Sequence, residues 1–146
     1  MVEPLAEMNP DELDIIPQPG LGRAFSHEAI IVACQKAGDQ SWKTTGNGYL
    51  VVETYFHGEY NGGAQPDAKI TTTWNTRGQI CQVHIDKYSS DRIPRQMSYE
   101  YDFSGRLISE LIIDNFGLPN QSVNMYKTFT YFKDGSYTSK IHNLLT

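Results

Sequence analysis

The sequence predicts a mainly β domain (α+β): an antiparallel up-and-down meander of seven or eight strands, strongly curved or closed into a barrel, with one N-terminal helix at about 27–37. Three observations predict it. From Gly38 onward the chain reads as short runs rich in Val, Ile, Thr, Tyr and Phe, several alternating apolar with polar residues. Glycine-bearing turn signals separate these runs. Ahead of them lies a segment with helical periodicity.

Residues 1–25 read as an acidic arm, and 26–146 as a single helix-plus-β domain. In the arm, Asn9, Pro10 and Glu12 suit the N-cap, N1 and N3 positions of a short helix. Pro17 and Pro19 stop any continuation. Ser26 is the N-cap of the main helix, with Glu28 in its first turn and Phe25 placed to staple against Ile30. Ala29, Ile30, Ala33, Cys34 and Ala37 keep one apolar stripe, and Gly38 ends it.

The strands are expected at 49–56, 68–75, 79–88, 96–103, 106–114, 122–132 and 136–143. An eighth, 41–45, joins if Asn47-Gly48 closes a hairpin. The 96–103 run is the cleanest: Met97, Tyr99, Tyr101 and Phe103 alternate with Gln96, Ser98, Glu100 and Asp102. In 107–113 both faces are apolar, so that strand is covered twice or sits at a contact. Trp74, Val83, Ile85, Met97, Tyr99 and Tyr101 fall on the apolar face of the sheet. Either the helix lies across that face or the sheet closes on itself.

An internal repeat runs through the turns. Trp74-x-x-x-Gly78-x-Ile80, Tyr101-x-x-x-Gly105-x-Leu107 and Tyr131-x-x-x-Gly135-x-Tyr137 share an aromatic, a glycine turn and an apolar return residue. At its second copy, Tyr99-Glu100-Tyr101-Asp102-Phe103-Ser104-Gly105-Arg106-Leu107 resembles the Tyr-x-Tyr-Asp-x-x-Gly-Arg-Leu core of YD repeats, found in bacterial RHS-type toxin shells and related surface proteins. The match spans nine residues of 146 and implies a shared hairpin geometry. Eight strands behind a helix also resemble a calycin-type barrel. Trp42 follows Gly38 by four residues, so the lipocalin Gly-x-Trp signature is missing.

Twelve Lys and Arg oppose seventeen Asp and Glu, a net charge of −5. Glu3, Glu7, Asp11, Glu12 and Asp14 all precede the first basic residue, Arg23, and the rest of the chain is balanced. A neutral body with an acidic front end does not suit phosphate backbones, so no nucleic-acid partner is expected. A hydrophobic content of 39% with 12% aromatics argues against disorder. No apolar run approaches the roughly 18 residues of a membrane span. The first residues lack a basic start and an apolar core, so a cytoplasmic setting with reduced Cys34 and Cys81 is expected.

No phosphate-binding glycine loop, HExxH or Gly-x-Ser-x-Gly motif is present. His27, His57, His84 and His142 have no short metal-ligand spacing, so neither metal nor cofactor is expected. The best catalytic candidates are His84 and Asp86 on one polar strand face, with Glu100 on the next strand and Arg106 beyond it. A histidine with a carboxylate is the minimum for acid–base work. A solvent-facing ladder of cross-strand charges has the same pattern.

The leading functional expectation is a non-enzymatic protein-binding domain: a small intracellular inhibitor, immunity-type protein or adaptor. Its interface would use Ile108, Ile112 and the acidic Asp11, Glu12 and Asp14. The alternative is a calycin-like barrel for a small apolar ligand, as a carrier or a cofactor-free cyclase or isomerase. Trp74, Met97, Tyr99 and Tyr101 would line its pocket. The oligomeric state is open.

Overall fold

The computed structural model describes residues 17, 19–20, 24–37, 40–56, 68–87 and 94–142. Helix α1 (His27–Ala37) precedes strands β1 (Gln40–Thr44), β2 (Leu50–Phe56), β3 (Ala68–Trp74), β4 (Ile80–Lys87), β5 (Arg95–Tyr101), β6 (Leu107–Asp114), β7 (Ser122–Tyr131) and β8 (Tyr137–Ile141). All eight form one sheet in chain order, and every neighbouring pair is antiparallel. The helix and all the expected strands are therefore present, 41–45 included as β1.

Closure into a barrel, or strong curvature toward it, is the expectation that needs correcting. The sheet is open and not strongly curled. Among the described residues β1 pairs only with β2, and β8 only with β7. The physical reason lies in what covers the apolar side. Ile30 and Cys34 of α1 pack in one core with Leu50, Val52, Ile70, Trp74, Val83, Ile85, Met97 and Tyr99. The helix does the burying that closure would otherwise have to do. We call this side of the sheet inner and the opposite side outer.

The four tight turns between β1–β2, β3–β4, β5–β6 and β7–β8 share one hydrogen-bond pattern. The Asn75 amide donates to the Gln79 carbonyl at 2.8 Å, and the Gly78 amide to the Asn75 carbonyl at 2.9 Å. The same two bonds recur from Thr45 and Gly48, from Asp102 and Gly105, and from Phe132 and Gly135. Each of these glycines has positive φ. Thr44-x-x-x-Gly48-x-Leu50 is thus a fourth copy of the repeat. Threonine in the aromatic position hid it in the sequence.

Two copies carry a β-bulge at the same place. Thr73 faces Gln82 and Trp74 faces Ile80, so Cys81 has no opposite residue. Glu100 faces Ser109 and Tyr101 faces Leu107, so Ile108 has none. Simple alternation puts Cys81 in phase with Val83 and Ile85, and the bulge breaks that phase.

The leading segment is fastened across the turn end of the inner side. The Phe25 amide donates to the Gly78 carbonyl at 2.9 Å, and the Phe25 ring meets Trp74 edge-on at 5.8 Å. His27 Nε2 lies 2.8 Å from the Asn75 carbonyl oxygen. The Ser26 hydroxyl accepts from the Ala29 amide at 3.1 Å, as an N-cap should. Farther along, the Gly20 amide donates to the Tyr131 hydroxyl at 2.8 Å, and that hydroxyl donates to the Leu107 carbonyl at 2.6 Å. The last stretch of the expected arm is therefore bonded to the sheet. Asp11, Glu12 and Asp14 lie outside the described residues.

At Gly78 the close approach leaves no room for a side chain. A Cβ there would stand 1.8 Å from the Phe25 carbonyl oxygen, at φ +77°. Gly135 has φ +90° and open space around it. Gly135→Ala should therefore cost only the backbone term, about 1–2 kcal/mol. Gly78→Ala should cost at least about 3 kcal/mol, because the leading segment must also move. Urea denaturation of both variants checks this. Equal losses would show that the Phe25 contact does not impose the glycine.

Candidate functional site

The strand register sorts the outer side into cross-strand rows. One row runs Glu53, Thr71, His84, Gln96, Ile113 and Val123. Its neighbour runs Val51, Thr73, Gln82, Ser98, Leu111 and Tyr126. Threonine, serine and glutamine dominate over β3–β5, and apolar residues over β6 and β7. Among the described residues, α1 and the leading segment both lie on the inner side. The 115–121 loop reaches the outer side through Phe116, whose ring meets His84 edge-on at 5.2 Å.

His84 and Asp86, two apart on β4, point the same way. His84 Nε2 and Asp86 Oδ1 are 3.0 Å apart, and Lys69 Nζ is 4.0 Å from Asp86 Oδ2. His84 Nδ1 is buried, with no partner among the described residues. Glu100 does not join them. It sits on the same strand as Gln96, the residue facing His84, and four positions away along it, or about 13 Å. The pair can hold an imidazole in a set orientation, with Lys69 beside its carboxylate. Among the described residues no three His, Cys, Asp or Glu side chains are placed to hold a metal ion.

Asp102 and Arg106 belong to the third tight turn. Asp102 Oδ1 accepts from the Ser104 and Arg106 amides, both at 2.9 Å, and Oδ2 accepts from Arg106 Nε at 2.9 Å. The Arg106 guanidinium lies over the Tyr131 ring at 4.6 Å. Burial pushes the Asp102 carboxyl up, but the hydrogen bonds and charge of Arg106 together with the Ser104 amide outweigh it and hold it below the usual carboxylate range.

Of the expected pocket residues, three are core and Tyr101 is partly buried against it. Trp74 is 1% exposed, and Met97 and Tyr99 are buried with it. The Tyr101 hydroxyl donates to the Ile80 carbonyl at 2.6 Å. Tyr99 and Tyr101 do border an open groove of about 560 Å³ between the second and third tight turns, along with Arg77, Cys81, Phe103 and Ile108. Burial pushes both cysteine thiols up, so neither is an activated nucleophile.

Of the expected interface residues, Ile108 sits at the β6 bulge and also lines the groove. Ile112 faces Met97 and Met125 on the inner side and packs against the core. The apolar residues of β6 that point outward are Leu111 and Ile113, with Tyr126 and Val123 facing them from β7. Two apolar faces on 107–113 were legible in the sequence. Which half points outward depends on the bulge at Ile108, and no periodic pattern reveals it.

The lowered Asp102 carboxyl sets a pH dependence. Its stabilisation is complete above the ordinary carboxylate range and is lost as pH falls through the lowered folded-state value. Asp102→Asn should therefore be less stable than the natural chain by about 1 kcal/mol above roughly pH 5. The difference should vanish in strong acid. Urea midpoints measured across pH read it directly, and a pH-independent gap would contradict the assignment.

A scan of family models finds none that matches the chain, and no curated protein or solved structure matches it.

Proposed function

We propose that the chain is a protein-binding domain, such as an inhibitor, immunity-type protein or adaptor, and that it engages its partner through the outer side of the sheet. The observation that carries this reading is the placement of cover. Helix α1 and the leading segment occupy the inner side, while Leu111, Ile113, Val123 and Tyr126 form an apolar and aromatic centre on the outer side, flanked by Phe116 of the 115–121 loop. Val123 is 38% exposed. Around that centre lies a polar rim of Ser98, Gln96, Thr128 and Glu100. An apolar, aromatic centre with a hydrogen-bonding rim is the usual anatomy of a protein interface. The acidic Asp11, Glu12 and Asp14 would favour a partner with a basic rim. Cys34 and Cys81 are free thiols, which fits a cytoplasmic setting.

A second reading rests on the groove. Tyr101, Phe103 and Arg77 at its border suit a small aromatic or anionic ligand. Saturable binding of an apolar dye, lost in Phe103→Ala, would favour it.

A photo-crosslinking residue at position 126 tests the leading reading, with position 32 on the exposed side of α1 as control. In source cells the first should yield one discrete crosslinked polypeptide and the second none. Leu111→Glu should weaken capture at least about tenfold while changing stability by under about 1 kcal/mol. Capture that ignores both the position of the label and Leu111→Glu would overturn the reading.

A further inference from the structure

We infer that the outer edge of β8, unpaired among the described residues, is a self-complementary pairing surface, and that two copies of this chain join there, antiparallel, about a two-fold axis through Ser139. The inference stands independently of what the outer side binds.

The first observation is exposure. All five residues of β8 are exposed, Tyr137 to 48% and Ile141 to 61%. The strand contains no proline, no bulge and a single charge, Lys140. The strand itself therefore lacks the proline, bulge and clustered charges that usually guard a sheet edge. The other edge differs: α1 packs against β1.

The second observation is which backbone groups are free. The Phe132 amide donates to the Ser136 carbonyl at 2.9 Å, and the His142 amide donates to the Tyr126 carbonyl at 2.8 Å. Antiparallel pairing alternates, so the even-numbered residues of β8 bond to β7. Tyr137, Ser139 and Ile141 then point their amides and carbonyls outward.

The third observation is how that row reads against itself. With Ser139 facing Ser139 of a second copy, Tyr137 faces Ile141 and Ile141 faces Tyr137. All three are hydrogen-bonded pairs, so each exchanges two backbone bonds. The aromatic and aliphatic side chains meet on the inner side, which is a favourable cross-strand pairing. On the outer side Thr138 faces Lys140, so no like charges stand opposite. The two-fold contact closes on itself and adds no further copies. It would join the outer sides of two sheets into one surface.

Sedimentation equilibrium of the full chain tests this, from about 1 to 300 μM. Edge pairing buries little area, so a dissociation constant of roughly 1–100 μM is expected. Ser139→Pro removes only an outward amide and leaves the β7–β8 bonds in place. It should weaken the dimer at least about tenfold with an unchanged circular dichroism spectrum. Tyr137→Lys with Ile141→Lys puts like charges opposite and should also give monomers. Tyr137→Lys with Ile141→Glu makes opposite charges face each other and should restore the dimer. A monomer at every concentration, a dimer indifferent to Ser139→Pro, or open-ended oligomers would each overturn the proposal.

Discussion

The docking of the leading segment on the second tight turn is the contact on which the rest of the architecture depends. Phe25 bonds to Gly78 through the backbone and lays its ring against Trp74, and His27 reaches the Asn75 carbonyl oxygen. These contacts set where α1 begins. The helix then packs against β1 and places Ile30 and Cys34 in the core on the inner side. An apolar sheet face has two ways of leaving water, a cover or a closure. With the cover fixed at the turn, the sheet stays open and keeps two distinct sides.

The four turns repeat one piece of chemistry. An Asn, Asp or Thr at the first turn position bonds its side chain to amides ahead of it in three of them: Asn75 to Arg77 and Gln79, Asp102 to Ser104 and Arg106, and Thr45 to Tyr49. In the fourth, Asp134 takes that part from within the turn, bonding to the Ser136 amide. Such bonds let a short polar side chain stand in for a backbone turn. Two of the repeats then insert a bulge just after the return strand begins. Each bulge shifts the phase of its strand by one residue. That shift gives β6 its outward Leu111 and Ile113 and turns Ile112 toward the core.

The polar chemistry divides between structure and surface. Asp102 and Arg106 are consumed in holding a turn, and Tyr131 ties that region to Gly20 through Leu107. Arg95 and Asp114 pair across β5 and β6 at 2.7 Å. His84 and Asp86 stand apart from these. They lie on the open side, against Phe116, at the margin of the surface to which we assign partner binding.

Much of the fold was legible in the chain itself. β-Branched and aromatic runs between turn signals marked the strands to within one or two residues, and period-two alternation was cleanest in 96–103, which has a dry face and a wetter one. Ser26 and Glu28 marked the helix start, because capping is local chemistry. Turn glycines marked the hairpins, because positive φ excludes most side chains. The candidate site was less legible. His84 with Asp86 could be read as a pair because residues two apart on a strand share a face. Glu100 was misplaced beside them because register is a relation between strands and depends on bulges and loop lengths. Trp74, Met97 and Tyr99 could be read as inward-facing, but whether inward meant a cavity or a packed core depended on the helix. Sequence alone determined the elements and their order, since those follow from local sterics and periodicity. Only the tertiary structure decided that the sheet stays open, that Leu111 and Ile113 point outward, and that β8 pairs on one side only among the described residues. Each of those follows from relations between residues distant in the chain: Phe25 on Gly78, the register across the β5–β6 bulge, and the pairing of β8 with β7 alone among the described residues.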